Sequence, residues 1–190
     1  MFKVMNEKII NELEENIQSK VINLLDKNEI YSDDDYLEHI QKVAFSETES
    51  LPFDIETKTI IIKRVFNTMR RYDLIQEFIE DGNINEIMIN GCGNIFIDKN
   101  NELVESDVRF PNEKRLNNLI QKIVSPIDRK VNAYTPIVDA RLSDGSRVSI
   151  VLKPIALNGP IVTIRKFRRE AITLEDMVEN KCFSQRLFYY

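Results

Sequence analysis

The 190-residue chain has little of what most enzyme chemistry needs: one histidine, two cysteines and five glycines. His39 lies in a helical pattern among acidic residues, and a lone histidine without partners specifies no catalytic site. Cys92 and Cys182 lack the spacing of a metal centre or a redox motif, which leaves a reduced, cytoplasmic protein as the simpler reading and one remote disulfide as the alternative. No glycine falls in a Gly-x-x-x-x-Gly-Lys-Ser/Thr loop. Gly91 and Gly93 lead into a strand pattern with no Lys-Ser/Thr behind them, so they read as a hairpin turn and not a phosphate cradle. Without that loop the chain alone is not expected to hydrolyse a nucleoside triphosphate. Apolar runs fall far short of the ~20 residues that span a bilayer, and the opening MFKVMNEKII meets acidic residues too soon for a signal peptide. A basic average is lacking too. Lys and Arg total 26 against 31 Asp and Glu, a net charge of -5, which argues against nucleic-acid or anionic-membrane binding, although a local patch can oppose the average.

With 43% hydrophobic and 30% charged residues the composition is that of an ordinary globular chain, long enough for one core or for a domain plus a helical appendage. Residues 3–27 have helical periodicity through Ile10, Leu13, Ile17, Val21, Leu24 and Leu25. Ser32 and Asp35 form a capping-box pattern for a second helix, with Asp33 and Asp34 at its positive end and Tyr36, Ile40, Val43 and Ala44 as its buried face. Leu51-Pro52-Phe53 breaks that pattern. A third helix is expected from about Asp54, with Ile55, Thr59, Ile62, Val65, Phe66 and Met69 on one side. Residues 1–71 thus read as a helical N-terminal domain of about three helices. The pairs Lys63-Arg64 and Arg70-Arg71 read as a solvated helix face or, alternatively, a contact surface.

Around Tyr72-Asp73 the periodicity changes. A short helix over 74–80 precedes strands over 86–90, 95–99 and 103–108. Pro111-Asn112 opens a helix carrying Leu116, Leu119, Ile120 and Ile123, which Ser125-Pro126 ends. Three more strands follow at 137–142, 148–152 and 160–167, with turns at 143–146 and 157–160; Asp144-Gly145 can adopt the positive φ of a tight hairpin. Consecutive hairpins with helices on one face make an α+β domain. Further on, 173–176 resembles a capping box, Ser184 opens another helical pattern, and the apolar ending Leu187, Phe188, Tyr189, Tyr190 reads as a pattern cut short.

Arg141, Arg147, Arg165 and Arg168 sit in or beside the last three strands. One reading makes them solvated strand-face cations. The other makes them a basic surface that receives a polyanion such as a nucleotide phosphate. Asp144 reads as a turn residue and Asp139 as an arginine partner.

The run VDARLSDGSRV…PIALNGPIVTIRKF, with INEIMING…NIFIDKNNELVESDVRF upstream and ITLEDMVENKCFS downstream, resembles the N-terminal domain of secretion motor ATPases. The likeness is to the CpaF-like branch that drives tight-adherence pili, related to the type II and type IV secretion ATPases; Lys153-Pro154 stands where members often carry Pro-Pro. The resemblance implies a PAS-like fold for residues 72–170. It makes 171–190 linker helices leading to a RecA-like catalytic domain beyond Tyr190. It implies a hexameric ATPase that powers pilus assembly or protein secretion, with ATP and Mg²⁺ as cofactors of the complete protein and none required by this chain. Implied partners are that catalytic domain, neighbouring subunits of a homohexamer and an inner-membrane platform protein at the cytoplasmic face, with no nucleic acid. Matched by motif, Arg147 in DGSRV and Arg165 in TIRKF reach the ATP phosphates, with Arg141 in DARL the weaker match. Arg168 and Arg169 would touch the linker or a neighbouring subunit, and catalytic groups and metal ligands are expected elsewhere. The competing reading is a non-catalytic interaction or assembly module. A small-molecule PAS-type sensor would need an apolar cavity, for which the residue pattern gives no sign.

Overall fold

Short polar side chains start each long helix after the first. The computed structural model describes residues 2–26, 29–127 and 131–167; the expected helix starts at Thr173 and Ser184, the linker helices over 171–190, and Arg168, Arg169 and Cys182 lie outside the described residues. Helices α1 (Phe2–Leu24), α2 (Asp33–Glu47) and α3 (Ile55–Arg70) form the N-terminal unit. At α2 the Ser32 hydroxyl accepts the Asp35 N–H at 3.2 Å while the Asp35 carboxylate accepts the Ser32 N–H at 2.8 Å, the reciprocal capping box. Asp54 caps α3 by accepting the Thr57 N–H at 2.8 Å. Leu13, Ile17 and Val21 of α1, Ile40, Val43 and Ala44 of α2, and Ile61, Ile62 and Val65 of α3 make its core.

The face of α3 differs from expectation. Ile55 is 67% exposed and Thr59 is also exposed, whereas Ile61 is buried. The run Ile60-Ile61-Ile62 supplies apolar residues to more than one helical stripe, so periodicity alone does not choose the face, and packing against α1 and α2 does. Leu24, in the last turn of α1, is exposed as well.

Asp73, buried and at φ +53, begins a 3-10 turn (Asp73–Ile75) that runs into α4 (Gln76–Glu80). Strands β1 (Ile84–Asn90), β2 (Asn94–Lys99) and β3 (Glu102–Glu105) follow, then α5 (Glu113–Val124), then β4 (Ile137–Arg141), β5 (Arg147–Val151) and β6 (Ile161–Arg165). They form one antiparallel six-stranded sheet in the order β3-β2-β1-β6-β5-β4. Two three-stranded meanders thus join at the centre through β1 and β6. Leu116, Leu119, Ile120 and Ile123 of α5 share a core with Ile87 and Ile89 of β1, Ile95 of β2, Val148 and Ile150 of β5, and Val162 and Ile164 of β6. The α+β class is as expected. The third strand is shorter than expected because Ser106 turns inward: its N–H donates to the Ile95 carbonyl at 2.8 Å and its hydroxyl accepts the Val108 N–H at 3.0 Å.

The helical core and the sheet core are separate clusters, and the seam between them is ionic. Arg115 of α5 reaches Asp73 at 2.7 Å, Glu14 of α1 at 3.0 Å and the Thr68 hydroxyl of α3 at 3.0 Å. Glu14 also receives Arg64 at 2.6 Å. Glu14, Asp73 and Arg115 are 4%, 6% and 8% exposed, deep enough that solvent screens them little. Burial opposes the Arg115 charge, but Asp73 and Glu14 outweigh it and keep the guanidinium protonated. Burial pushes the Glu14 carboxyl up, and Arg64 and Arg115 pull it part of the way back.

Arg115→Ala strands the buried Asp73 carboxylate and leaves Glu14 with Arg64 alone, and is expected to cost about 3–5 kcal/mol by urea denaturation, with Asp73→Asn in the same chain recovering part of the loss; a cost under about 1 kcal/mol would place the seam with exposed ion pairs. The helix-start carboxylates give a pH dependence. Asp33 is held low by Arg70, Asp35 by the Ser32 hydroxyl and N–H, and Asp54 by Thr57. Their folded values lie below the unfolded ones, so their stabilisation is complete above about pH 4 and is lost as pH falls through the folded values. Acid titration followed by helical circular dichroism should show this loss blunted in Asp35→Asn and Asp54→Asn.

Candidate anion-binding site

The hairpin registers gather three arginines into one row. Arg141 of β4 is directly opposite Arg147 of β5, Arg147 is opposite Arg165 of β6, and Arg165 is opposite Glu86 of β1. Adjacent strands lie about 4.8 Å apart, so the three stems leave the sheet within about 10 Å of one another. Alternation fixes the side they leave from: Val148, Ile150, Val162 and Ile164 point into the core, while Arg141, Arg147 and Arg165 are exposed on the opposite face. The next row on that face is Asp139, Ser149, Thr163 and Met88, where the Ser149 hydroxyl donates to Asp139 at 2.5 Å. Beyond it come Ile137, Val151 and Ile161. The face therefore grades from cations through hydroxyls to apolar side chains.

Among the described residues the three arginines of the row make no hydrogen bond or ion pair. Every other described arginine has a carboxylate partner: Arg64 with Glu14, Arg70 and Arg71 with Asp33, Arg109 with Glu105, and Arg115 with Asp73 and Glu14. Like charges directly opposite one another destabilise a sheet. Guanidinium groups are permanently charged, donate through a planar fork and accept nothing. A row of three offers binding to an anion with several oxygens, and it offers no nucleophile or base.

One turn holds the row in place. Ser146 is fully buried; its N–H and its hydroxyl both donate to the Asp144 carboxylate at 2.9 Å, and its oxygen accepts the Phe167 N–H at 3.1 Å. The β4–β5 turn is thereby tied to the chain leaving β6, which sets Arg147 relative to Arg165. Gly145 adopts φ +88 there, as the Asp-Gly pattern leads one to expect. Sequence reasoning finds Asp144 as a turn residue but misses Ser146, although Asp-Gly-Ser is an Asx-turn signal that could have pointed to it. Lys166 leaves the basic run altogether, its ammonium donating to the carbonyls of Phe78 and Asp81 at 3.0 and 2.5 Å.

Other residues singled out from the sequence have structural roles. Gly91 sits in a hairpin turn at φ +66, with β1 and β2 on either side. His39 stacks edge-on to Tyr31 at 5.9 Å. The Lys63-Arg64 and Arg70-Arg71 pairs form ion pairs within the protein, and Arg64 enters the seam and not a solvated face. Cys92 is a free, half-buried thiol that burial and Glu113 push up from its ordinary range.

The family model described as "Type II/IV secretion system protein" matches residues 69–186, which takes in the whole sheet and α5 and leaves out α1, α2 and nearly all of α3. Uncharacterized protein MJ0781 of Methanocaldococcus jannaschii is 27% identical over 120 residues, 62% of this chain and 16% of its own length. Uncharacterized protein MJ0900 of the same organism is 28% identical over 89 residues, 46% of this chain and 16% of its own. The chain thus spans about 16% of the length of these curated relatives. Among solved structures, the VirB11 ATPase from the Brucella suis type IV secretion system, in complex with sulphate, is similar at a TM-score of 0.51 and 25% identity, covering 57% of this chain and 34% of VirB11.

Ser146→Ala leaves the Phe167 N–H and one Asp144 oxygen without their partner and is expected to cost about 1–3 kcal/mol in urea denaturation. Arg147→Ala should instead raise the thermal midpoint slightly at low ionic strength, and the gain should disappear at about 1 M salt, where the Debye length shrinks to about 3 Å.

Proposed function

Because the chain belongs to the type II/IV secretion system protein family, we propose that it is the N-terminal portion of a hexameric secretion ATPase whose Arg147 and Arg165, with Arg141 beside them, receive the phosphates of ATP at the junction with a RecA-like catalytic domain. The observation that carries this reading is the arginine row: three guanidiniums, side by side and without internal partners, in a chain that pairs all its other described arginines. The sulphate named with VirB11 supports it, since sulphate has the tetrahedral oxygens and negative charge of a phosphate group.

In this reading the chain supplies charge and position, and the chemistry lies elsewhere. Nucleotide hydrolysis needs a Gly-rich cradle with its lysine, and a Mg²⁺ site; the sequence has no such loop, and among the described residues no group of three His, Cys, Asp or Glu is placed to hold a metal. Those parts belong to the catalytic domain. As the terminal phosphate separates, negative charge shifts over its oxygens, and guanidiniums whose strand positions the Ser146 turn helps to set stabilise it. Closure of the two domains around ATP and their opening after hydrolysis would pass a rigid-body movement to an inner-membrane platform protein at the cytoplasmic face.

The finer assignments belong to the same proposal: the CpaF-like, tight-adherence branch, the PAS-like character of residues 72–170, and residues 1–71 as a family-variable appendage. The start of the family match at residue 69 supports the last of these. The alternative, a non-catalytic assembly module, draws on the far end of the same face, where Ile137 and Ile161 are 54% and 37% exposed.

In the complete protein, Arg147→Ala and Arg165→Ala should each lower ATP turnover by about 10²-fold with the thermal midpoint held or slightly raised. Normal turnover by both variants would sink the phosphate reading and leave the assembly module.

A further inference from the structure

A second, unrelated polar site opens at the seam. A cleft of about 470 Å³ lies between α1 and α5, with Tyr36 of α2 and Val65, Thr68 and Met69 of α3 also in its walls, on the other side of the sheet unit from the arginine row. Its size is that of a small-molecule site. Lys114, Asn118 and Lys122 of α5 recur every four residues and so share one helix face. Gln18 and Ser19 of α1 line the opposite wall.

The cations of this cleft are not equally committed. Arg115 is spent on Asp73, Glu14 and Thr68. Lys122 donates to the carbonyls of Thr68 and Arg71, at 2.8 Å each, where α3 ends. An ammonium has three donors, so one remains, and both partners are uncharged. Lys114 is exposed, and among the described residues it has no ion pair. On the acidic side Glu14 and Asp73 are already engaged by Arg64 and Arg115, which leaves Glu15, exposed on α1, as the free carboxylate of the lining.

We propose that this cleft binds a small phosphorylated polyol, its phosphate held by Lys122 and Lys114 on α5 and its hydroxyls by Gln18 and Ser19 on α1. The polarity sets the orientation: Glu15 repels an anion from the α1 wall, the Gln18 amide there suits neutral oxygens, and the Ser19 hydroxyl, which donates to the Glu15 carbonyl at 2.9 Å, keeps its oxygen to accept a ligand hydroxyl. A ligand so placed touches both units and braces the helical unit on the sheet unit. The charge on Lys122 makes binding pH-dependent. Burial pushes that ammonium down to about 8, Asp73 pulling it up and Arg70 pushing it further down; the other charged or titratable groups lining the cleft are Glu14, Glu15, Lys114, Arg115 and Tyr36. Phosphate binding should therefore weaken as pH rises through about 8.

The test is calorimetric titration of the chain with glycerol 3-phosphate, with inorganic phosphate and glycerol as separate probes. Arg141, Arg147 and Arg165 are replaced together by Ala in a parallel chain, so that the sheet face is silent. The expected result is saturable millimolar binding of glycerol 3-phosphate by both chains. Binding should be about tenfold weaker for inorganic phosphate and for Lys114→Glu, and Lys122 should be protected from acetylation. Lys114 is exposed, so its variant folds even where Lys122→Met loosens the seam. The proposal is overturned by an absence of saturable binding, or by binding that vanishes with the three arginines and persists in Lys114→Glu.

Discussion

Val148, Ile150, Val162 and Ile164 are at most 1% exposed in the core shared with α5; a one-residue slip of β5 would turn Val148 and Ile150 to water, and one of β6 would turn Val162 and Ile164. That penalty holds the register of β5 and β6, and the register in turn decides where every second residue goes. Arg147 and Arg165 have no alternative to the open face, and they have no alternative to each other as cross-strand neighbours. The Ser146 turn adds the remaining constraint by tying the β4–β5 loop to the Phe167 backbone. The row of cations is thus a by-product of apolar burial on the reverse side, and the strand positions from which its side chains leave are as firm as the core beneath them.

The seam between the two units obeys a different physics. Buried ion pairs repay their desolvation only with good geometry and full hydrogen bonding, and they confer direction more than strength. Arg115 meets that condition with five hydrogen-bonded contacts to Asp73, Glu14 and Thr68. Units joined by such polar contacts, with no shared hydrophobic core, can change their relative position without unfolding. The arginine row lies wholly on the sheet unit, so movement at the seam leaves it intact. The sheet face and the helical unit thus owe their cohesion to different sources, apolar burial in one case and a buried ionic seam in the other.

This division also explains what could be read from the sequence. Ser32 and Asp54 as helix starts, Asn112 as the cap of α5 and Asp144-Gly145 as a hairpin turn act over three residues or fewer, so local pattern suffices. The arginines of the row were legible as strand residues, but their alignment needed the pairing of β4, β5 and β6. Arg115 was illegible as a seam residue: its partners Asp73 and Glu14 lie 42 and 101 positions away. In an amphipathic helix it looks like any other charged residue. The face of α3 was ambiguous because Ile60, Ile61 and Ile62 satisfy several stripes at once, and only the placement of α1 and α2 breaks the tie.

The unpaired row is not explained by a shortage of acid. The chain carries five more carboxylate residues than lysines and arginines, and Glu86 stands across from Arg165, with Asp98 across from Glu86. Asp33 alone serves two arginines. Aspartate or glutamate at position 147 would convert two repulsive cross-strand pairs into attractive ones, each worth about 0.2–1 kcal/mol. The fold instead keeps three guanidiniums adjacent, at a cost in stability, on a face held rigid from behind. An anion settling on the row would offset that repulsion, which is the physical basis of the phosphate reading proposed for this face.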